Sequence, residues 1–305
     1  MRTIITGAVA LLLVACGGAD TPPAEEPAPG QAPEAATAAE EAAGAAGLGE
    51  ILAAQPADVQ ARYRYRHPAE TLAFFGIEPG MTVVEALPGG GWYTKILLPW
   101  LGADGKVIGA DYALDMWPLF DFMTGERLTA KEHWVADWTA EADSWRGLAD
   151  AGVAAFMFGA LPESMHGAAD AVLFIRALHN LASFEGEHGF LSEALTDTYN
   201  VLKPGGIVGV VQHHARDDMP DAWADGSNGY LKTGYVIDAF QKAGFEYVGS
   251  TDINANEKDR PTETQGVWRL PPGLQTSRDD PKLRAEMEAI GESNRMTLKF
   301  VKPRG

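Results

Sequence analysis

Cysteine is almost missing from this chain, with one residue, Cys16, among 305. The rest of the chain can form no disulfide, which suits an oxidising compartment, and no Cys/His spacing suggests a zinc site or other metal centre. Basic residues are also scarce: 24 Lys and Arg stand against 42 Asp and Glu, for a formal charge of −18. No basic tract interrupts this excess, so nucleic acid and anionic lipid headgroups are poor partners. No internal repeat is evident. The apolar run from Ile4 to Ala15 is too short to span a bilayer comfortably.

What is present divides the chain. Arg2 precedes that apolar run, and Leu13-Val14-Ala15-Cys16-Gly17 resembles a bacterial lipobox. The resemblance implies a signal peptide over residues 1–15, lipid modification of Cys16 and an exported, envelope protein, lipid-anchored and periplasm-facing. Residues 16–47 are mostly Ala, Pro, Glu and Gly with few bulky apolar side chains, the composition of a disordered tether. Residues 48–305 are long enough for one large α/β domain.

Within that domain, Thr82-Val83-Val84-Glu85-Ala86 reads as a buried strand, Leu87-Pro88-Gly89-Gly90-Gly91 as a glycine loop and Trp92 onward as a helix start. Glycines let the backbone approach a ligand, and the following helix points free N–H groups at it. A second strand, Lys106–Ala110, ends on Asp111, where a carboxylate could accept hydrogen bonds from ribose hydroxyls. A dinucleotide fingerprint is weakened, because the register starting at Gly89 puts Thr94 where its last glycine belongs. Glu85, Gly89 and Gly91 fit a different pattern, an acid followed by glycines at every second position, with Leu87 in the first glycine's place.

Here the chain resembles the class I methyltransferases that use S-adenosylmethionine (SAM). Further stretches extend the resemblance in order: the strand Ala169–Arg176 opened by Asp170, a helix from about Gly189 to Leu202, Leu202-Lys203-Pro204-Gly205-Gly206 leading into the strand Ile207–Gln212, a helix Tyr235–Ala243 and a strand from Glu246. Arg62-Tyr63-Arg64-Tyr65-Arg66-His67-Pro68 and the segment Gly291–Met296 add likeness to a group of exported bacterial methyltransferase-like proteins. The resemblance implies a Rossmann-like α/β fold, a mostly parallel seven-stranded sheet with an antiparallel C-terminal strand. It also implies SAM as cofactor, with Gly89, Gly90 and Gly91 near its backbone, Glu85 orienting the loop or the methionyl amine and Asp111 on the ribose. Asp170 would sit beneath the methionyl end or simply cap its strand.

Three histidines are candidates for chemistry at the same sheet edge: His179 after the Asp170 strand, and His213 and His214 after the next one. The Arg/Tyr run at residues 62–66 reads either as a solvated helix face or as a closure over the SAM carboxylate. Trp117, Trp134, Trp138, Trp145 and their aromatic neighbours read as core or a capping subdomain. Val153–Phe158 is the third strand, and Gly159 and Ala160 follow it where an adenine-side acid often stands. Val267–Leu270 and Thr297–Val301 are expected as the last antiparallel strands. The reading is a methyltransferase acting on a small or envelope-associated acceptor. Its competitor is a non-catalytic envelope lipoprotein that binds another metabolite or a protein through the same fold, since SAM is made in the cytoplasm. If the lipobox reading holds, Cys16→Ser moves the protein from the membrane to the soluble fraction on cell fractionation; continued sedimentation with membranes would point to an uncleaved anchor or a partner.

Overall fold

The structure, a computed structural model, describes residues 47–305. The expected signal peptide, Cys16 and the expected tether up to residue 46 lie outside the described residues. No helix among the described residues is long and apolar enough to cross a membrane.

Seven strands build one sheet: β1 (Thr82–Ala86), β2 (Lys106–Asp111), β3 (Gly152–Met157), β4 (Ala169–Ile175), β5 (Leu202–His213), β6 (Glu246–Thr251) and β7 (Arg295–Val301). Their spatial order is β3-β2-β1-β4-β5-β7-β6. The first five pair in parallel, and β7 runs antiparallel to both β5 and β6. This is the expected Rossmann-like sheet. The main helices are α1 (Pro68–Phe75), α2 (Thr94–Leu101), α3 (Gly125–Glu132), α4 (Trp134–Trp145), α5 (Leu178–Ser183), α6 (Phe190–Val201) and α7 (Thr233–Lys242).

The central strands read as continuous apolar runs because both of their faces are covered. Alternate residues serve opposite layers. Val83, Val107 and Leu173 pack with Leu72 and Phe75 of α1 and with Ile96 and Leu97 of α2. Val84, Ile108 and Phe174 pack with Leu191 and Leu195 of α6 and Phe240 of α7. Helix α1 starts with Pro68 in its first turn and stops at Gly76, whose φ of +74° suits a residue without Cβ. Lys203-Pro204-Gly205-Gly206, expected as a break between helix and strand, lies inside β5 as a bulge: Ala169 pairs with Leu202 and Ala171 with Ile207.

One expected strand is absent. Val267–Arg269 is a single 3-10 turn, and the antiparallel partners of the sheet end are β6 and β7. The turn is held by a buried ion pair, Arg269 Nη2 to Asp259 Oδ1 at 2.6 Å, and it lies between Gly266 and the Pro271-Pro272 pair, which limits strand pairing. It sets Trp268 edge-on against His179, with 6.1 Å between ring centroids.

Candidate functional site

The order of strands reverses between β1 and β4, and the crevice outside their carboxyl ends is where open α/β sheets bind ligands. The backbone there is strained at two positions. Leu87, directly after β1, has φ +53°, and Arg176, directly after β4, has φ +61°. Left-handed backbone at a bulky residue costs on the order of 1–3 kcal/mol and persists where surrounding structure enforces it. Each residue is pinned by a neighbouring strand: Leu87 N–H donates to Ala110 O at 2.7 Å and Arg176 N–H to Val211 O at 2.6 Å. The loop thus keeps the backbone turn at Leu87 without the glycine that the pattern expects.

Of the three loop glycines, Gly89 and Gly90 border open space, whereas Gly91 (φ +75°) lies under the ring of Trp145. Gly91 is therefore required by packing and backbone, and the stretch left open is Gly89–Gly90. Behind it, the Glu85 carboxylate accepts a hydrogen bond from Thr94 Oγ1 at 2.6 Å, which ties the end of β1 to the start of α2. Burial pushes Glu85 up to about 7, against the hydrogen bonds of Thr94 and the charge of Arg66.

Asp111 closes β2 and is almost wholly buried. Its Oδ1 accepts from Tyr112 N–H at 2.9 Å, and its Oδ2 accepts from Lys131 Nζ of α3 at 2.6 Å. The same ammonium stacks over Trp117 at 3.6 Å. Burial raises the Asp111 pKa, and Lys131 works against that shift. The aromatic segment between β2 and β3 thus covers this part of the edge, as a capping subdomain would. A cleft of about 750 Å³ opens beside it at the ends of β2 and β3, lined by Asp115, Pro118, Phe156, Phe158, Gly159 and Glu193. A cavity of similar size, about 790 Å³, runs along α4 and Val153 and holds none of the residues at the crevice.

Asp170 is not brought into the site. It sits at the start of β4, at the opposite edge of the sheet, where it accepts from Thr82 N–H at 2.8 Å and pairs with Lys203 at 2.6 Å. The second of its two expected roles, capping its strand, is the one its position allows.

His179 and His213 meet, with ring centroids 5.5 Å apart, while His214 stands apart in a bridge to Leu231. Burial takes His179 down to about 4, and burial together with His179 and nearby arginines takes His213 well below its ordinary range. Both rings are neutral at pH 7. His213 Nδ1 lies 2.5 Å from Ser293 Oγ, and the buried Nδ1 of His179 has no hydrogen-bond partner.

Around this pair the structure gathers Arg176, Glu292 and Arg295, to which sequence reading gave no site role, together with Arg62 and Arg66 of the run read either as a solvated face or as a closure over the SAM carboxylate. Arg66 and Arg295 are each 3 % exposed, and with Arg62 they surround the carboxylate of Glu292. Arg66 also stacks on Trp92 at 4.4 Å, which joins the cluster to the glycine loop. Arg176 feels the charges of Arg295, Glu292 and Arg62. Signals existed: Arg176 ends the β4 strand stretch, and Glu292 and Arg295 fall in the 291–296 segment. Their convergence required the fold. The Arg/Tyr run is only partly a solvated face, since Arg64 is exposed and Arg66 is buried. Among the described residues there is no cluster of His, Cys, Asp and Glu that could hold a metal ion.

No protein-family model matches the chain, and no curated protein matches it. Solved structures similar to it include the [4+2]-cyclase SpnF (17 % identity, 79 % of this chain and 81 % of that one, TM-score 0.47). Another is a complex between the Haloferax volcanii Trm112 methyltransferase activator and a methyltransferase (17 %, 84 % and 97 %, 0.47). A third is a SAM-dependent methyltransferase from Aquifex aeolicus (18 %, 68 % and 93 %, 0.42). At these values the likenesses do not bear on activity.

The raised pKa of Glu85 has a measurable consequence. Between its ordinary 4.5 and the folded value of about 7, the native state holds a proton that the unfolded state has released, so its contribution to stability falls as pH rises through that window. Urea unfolding is expected to show Glu85→Gln gaining on the native chain by on the order of 2 kcal/mol between pH 4.5 and 7.5. A difference independent of pH would remove the buried, proton-holding Glu85.

Proposed function

We propose that the chain is a SAM-dependent methyltransferase acting on a small or envelope-associated acceptor, carried outside the cytoplasm on a lipid anchor at Cys16. The observation that carries the reading is the convergence of Glu85, the open Gly89–Gly90 backbone and Asp111 at the two strand ends beside the switch point. This donor set fits the cofactor. With Lys131 moved off Asp111 and Glu85 ionised, the two acids suit a ligand bearing a sulfonium and an amine and would repel a phosphate. Asp115 and Glu193 in the adjoining cleft offer acceptors for an adenine amine, a role that Gly159 and Ala160 leave empty.

When bound, SAM supplies an electrophilic methyl group, and the protein's task is mainly alignment and exclusion of water. His179 and His213 are neutral but weak bases beside several guanidinium groups, so they serve better to hydrogen-bond an acceptor than to hold its proton. Entry of a ribose at Asp111 requires Lys131 to give up its 2.6 Å contact with the carboxylate. That ion pair is the observation favouring the competing reading, a binding lipoprotein whose ribose position is filled by its own side chain.

Calorimetric titration of the purified protein with SAM and with S-adenosylhomocysteine separates the two. Micromolar binding is expected, weakened about 10- to 100-fold in Asp111→Ala, the worth of one charge-assisted hydrogen bond. Absence of binding to folded protein, or affinity unchanged in Asp111→Ala, would overturn the cofactor site as drawn.

A further inference from the structure

The arginine cluster carries more positive charge than the protein around it neutralises. Four guanidinium groups, those of Arg62, Arg66, Arg176 and Arg295, act on one another and on Glu292. Among the described residues, Glu85 is also coupled to Arg66, and Asp259 to Arg295, although Asp259 already pairs with Arg269 at 2.6 Å. With Arg269 counted and all three acids ionised, two positive charges are left over. Burial and mutual repulsion draw Arg66 down to about 9 and Arg176 to about 10, so both remain protonated at neutral pH. In a chain of net charge −18 this local excess does not follow from composition. Uncompensated buried cations cost several kcal/mol each unless something pairs with them.

Arg176 marks where the missing partner belongs. It makes no ion pair or side-chain hydrogen bond among the described residues, its Nε is buried without an acceptor, and the residue as a whole is partly exposed. Its backbone is held in the strained left-handed conformation, φ +61°. The neutral polar groups of His213, Ser293 and Tyr93 border the same cluster, and Tyr93, pushed up to about 12 by burial despite the pull of Arg66, Arg295 and Arg176, stays a phenol whose O–H donates to Arg66 O at 3.4 Å. The anion that three of these arginines already hold is a carboxylate, that of Glu292. A guanidinium fork matches such a planar group in two parallel bonds.

We propose that Arg176, with Arg66 and Arg295, forms a carboxylate-binding subsite for the methyl acceptor, which makes the acceptor an acid. Calling the ligand an acceptor rests on the methyltransferase reading; the anion site itself does not. Its position assigns the carboxylate to the acceptor, because Arg176 follows β4, His213 ends β5 and Arg295 opens β7 opposite it, on the far side of the switch point from Asp111. A cofactor body along Gly89–Gly90 and Asp111 leaves that side free.

The test uses acetate and succinate as probes, titrated into the full chain at constant ionic strength set with chloride and followed by thermal unfolding and calorimetry. Both should bind in the millimolar range and raise the unfolding temperature. Arg176→Gln should weaken them at least 10-fold, Arg176→Lys should recover part of the loss, and Arg64→Gln, at an exposed position outside the cluster, should change nothing. Near-UV circular dichroism identifies a variant that fails to fold, and the native chain alone then decides. In protein saturated with S-adenosylhomocysteine, the probes should bind with unchanged affinity. Mutual exclusion would assign the arginines to the cofactor's own carboxylate and overturn the proposal, as would no response to either probe. Probe binding without any S-adenosylhomocysteine binding would keep the anion site and remove the cofactor reading instead.

Discussion

Pairing of β1 with β4 governs the rest of the structure. Parallel strands need crossovers, and here the chain leaves β1 toward β2 on one side while β4 continues to β5 on the other, so no connection closes over the carboxyl ends of the central pair. The chain leaving each of these strands must turn sharply away. Leu87 and Arg176 do so with left-handed backbone, and each is held by a hydrogen bond to the strand beside it. The crevice, the open glycine backbone and the placement of Asp111 and the histidine pair all result from that divergence.

The two sides of the crevice differ in charge. On the β1–β2 side stand acids, Glu85 and Asp111, one tied to a helix start and the other to Lys131. On the β4–β5–β7 side stand guanidinium groups with neutral imidazoles among them. A ligand cationic at one end and a second ligand anionic at the other would suit this division, and the neutral His179–His213 pair lies on the anion-seeking side. The aromatic segment between β2 and β3 contributes from outside, with Trp145 over Gly91, Trp138 filling the space beside Gly109, and Trp117 under the Lys131 ammonium.

Much of this was legible in the sequence because local chemistry decides it. The apolar run before Glu85, the Gly89–Gly91 loop and the β2 run ending on Asp111 announce strand, turn and strand end without reference to the rest of the chain. Asp170 was legible too: it opens its strand, so in a parallel sheet chain direction puts it on the edge away from Asp111, and its contacts with Thr82 and Lys203 give it the strand-capping role. Val267–Leu270 has strand-forming composition, yet its buried partner Asp259 and its flanking glycine and prolines draw it into a turn. The arginine cluster was hidden for a different reason. Its members come from residues 62–66, 176 and 292–295, and charges so distant in sequence share a site only through the sheet.

The most direct test of the central claim, that this crevice holds SAM between the two acidic strand ends, is a crystal structure of the protein soaked with S-adenosylhomocysteine. Ligand density is expected along Gly89–Gly90, with the ribose hydroxyls on Asp111 and the Lys131 ammonium moved off that carboxylate. An intact Lys131–Asp111 pair with no ligand density at the crevice, or ligand bound elsewhere on the molecule, would contradict the claim.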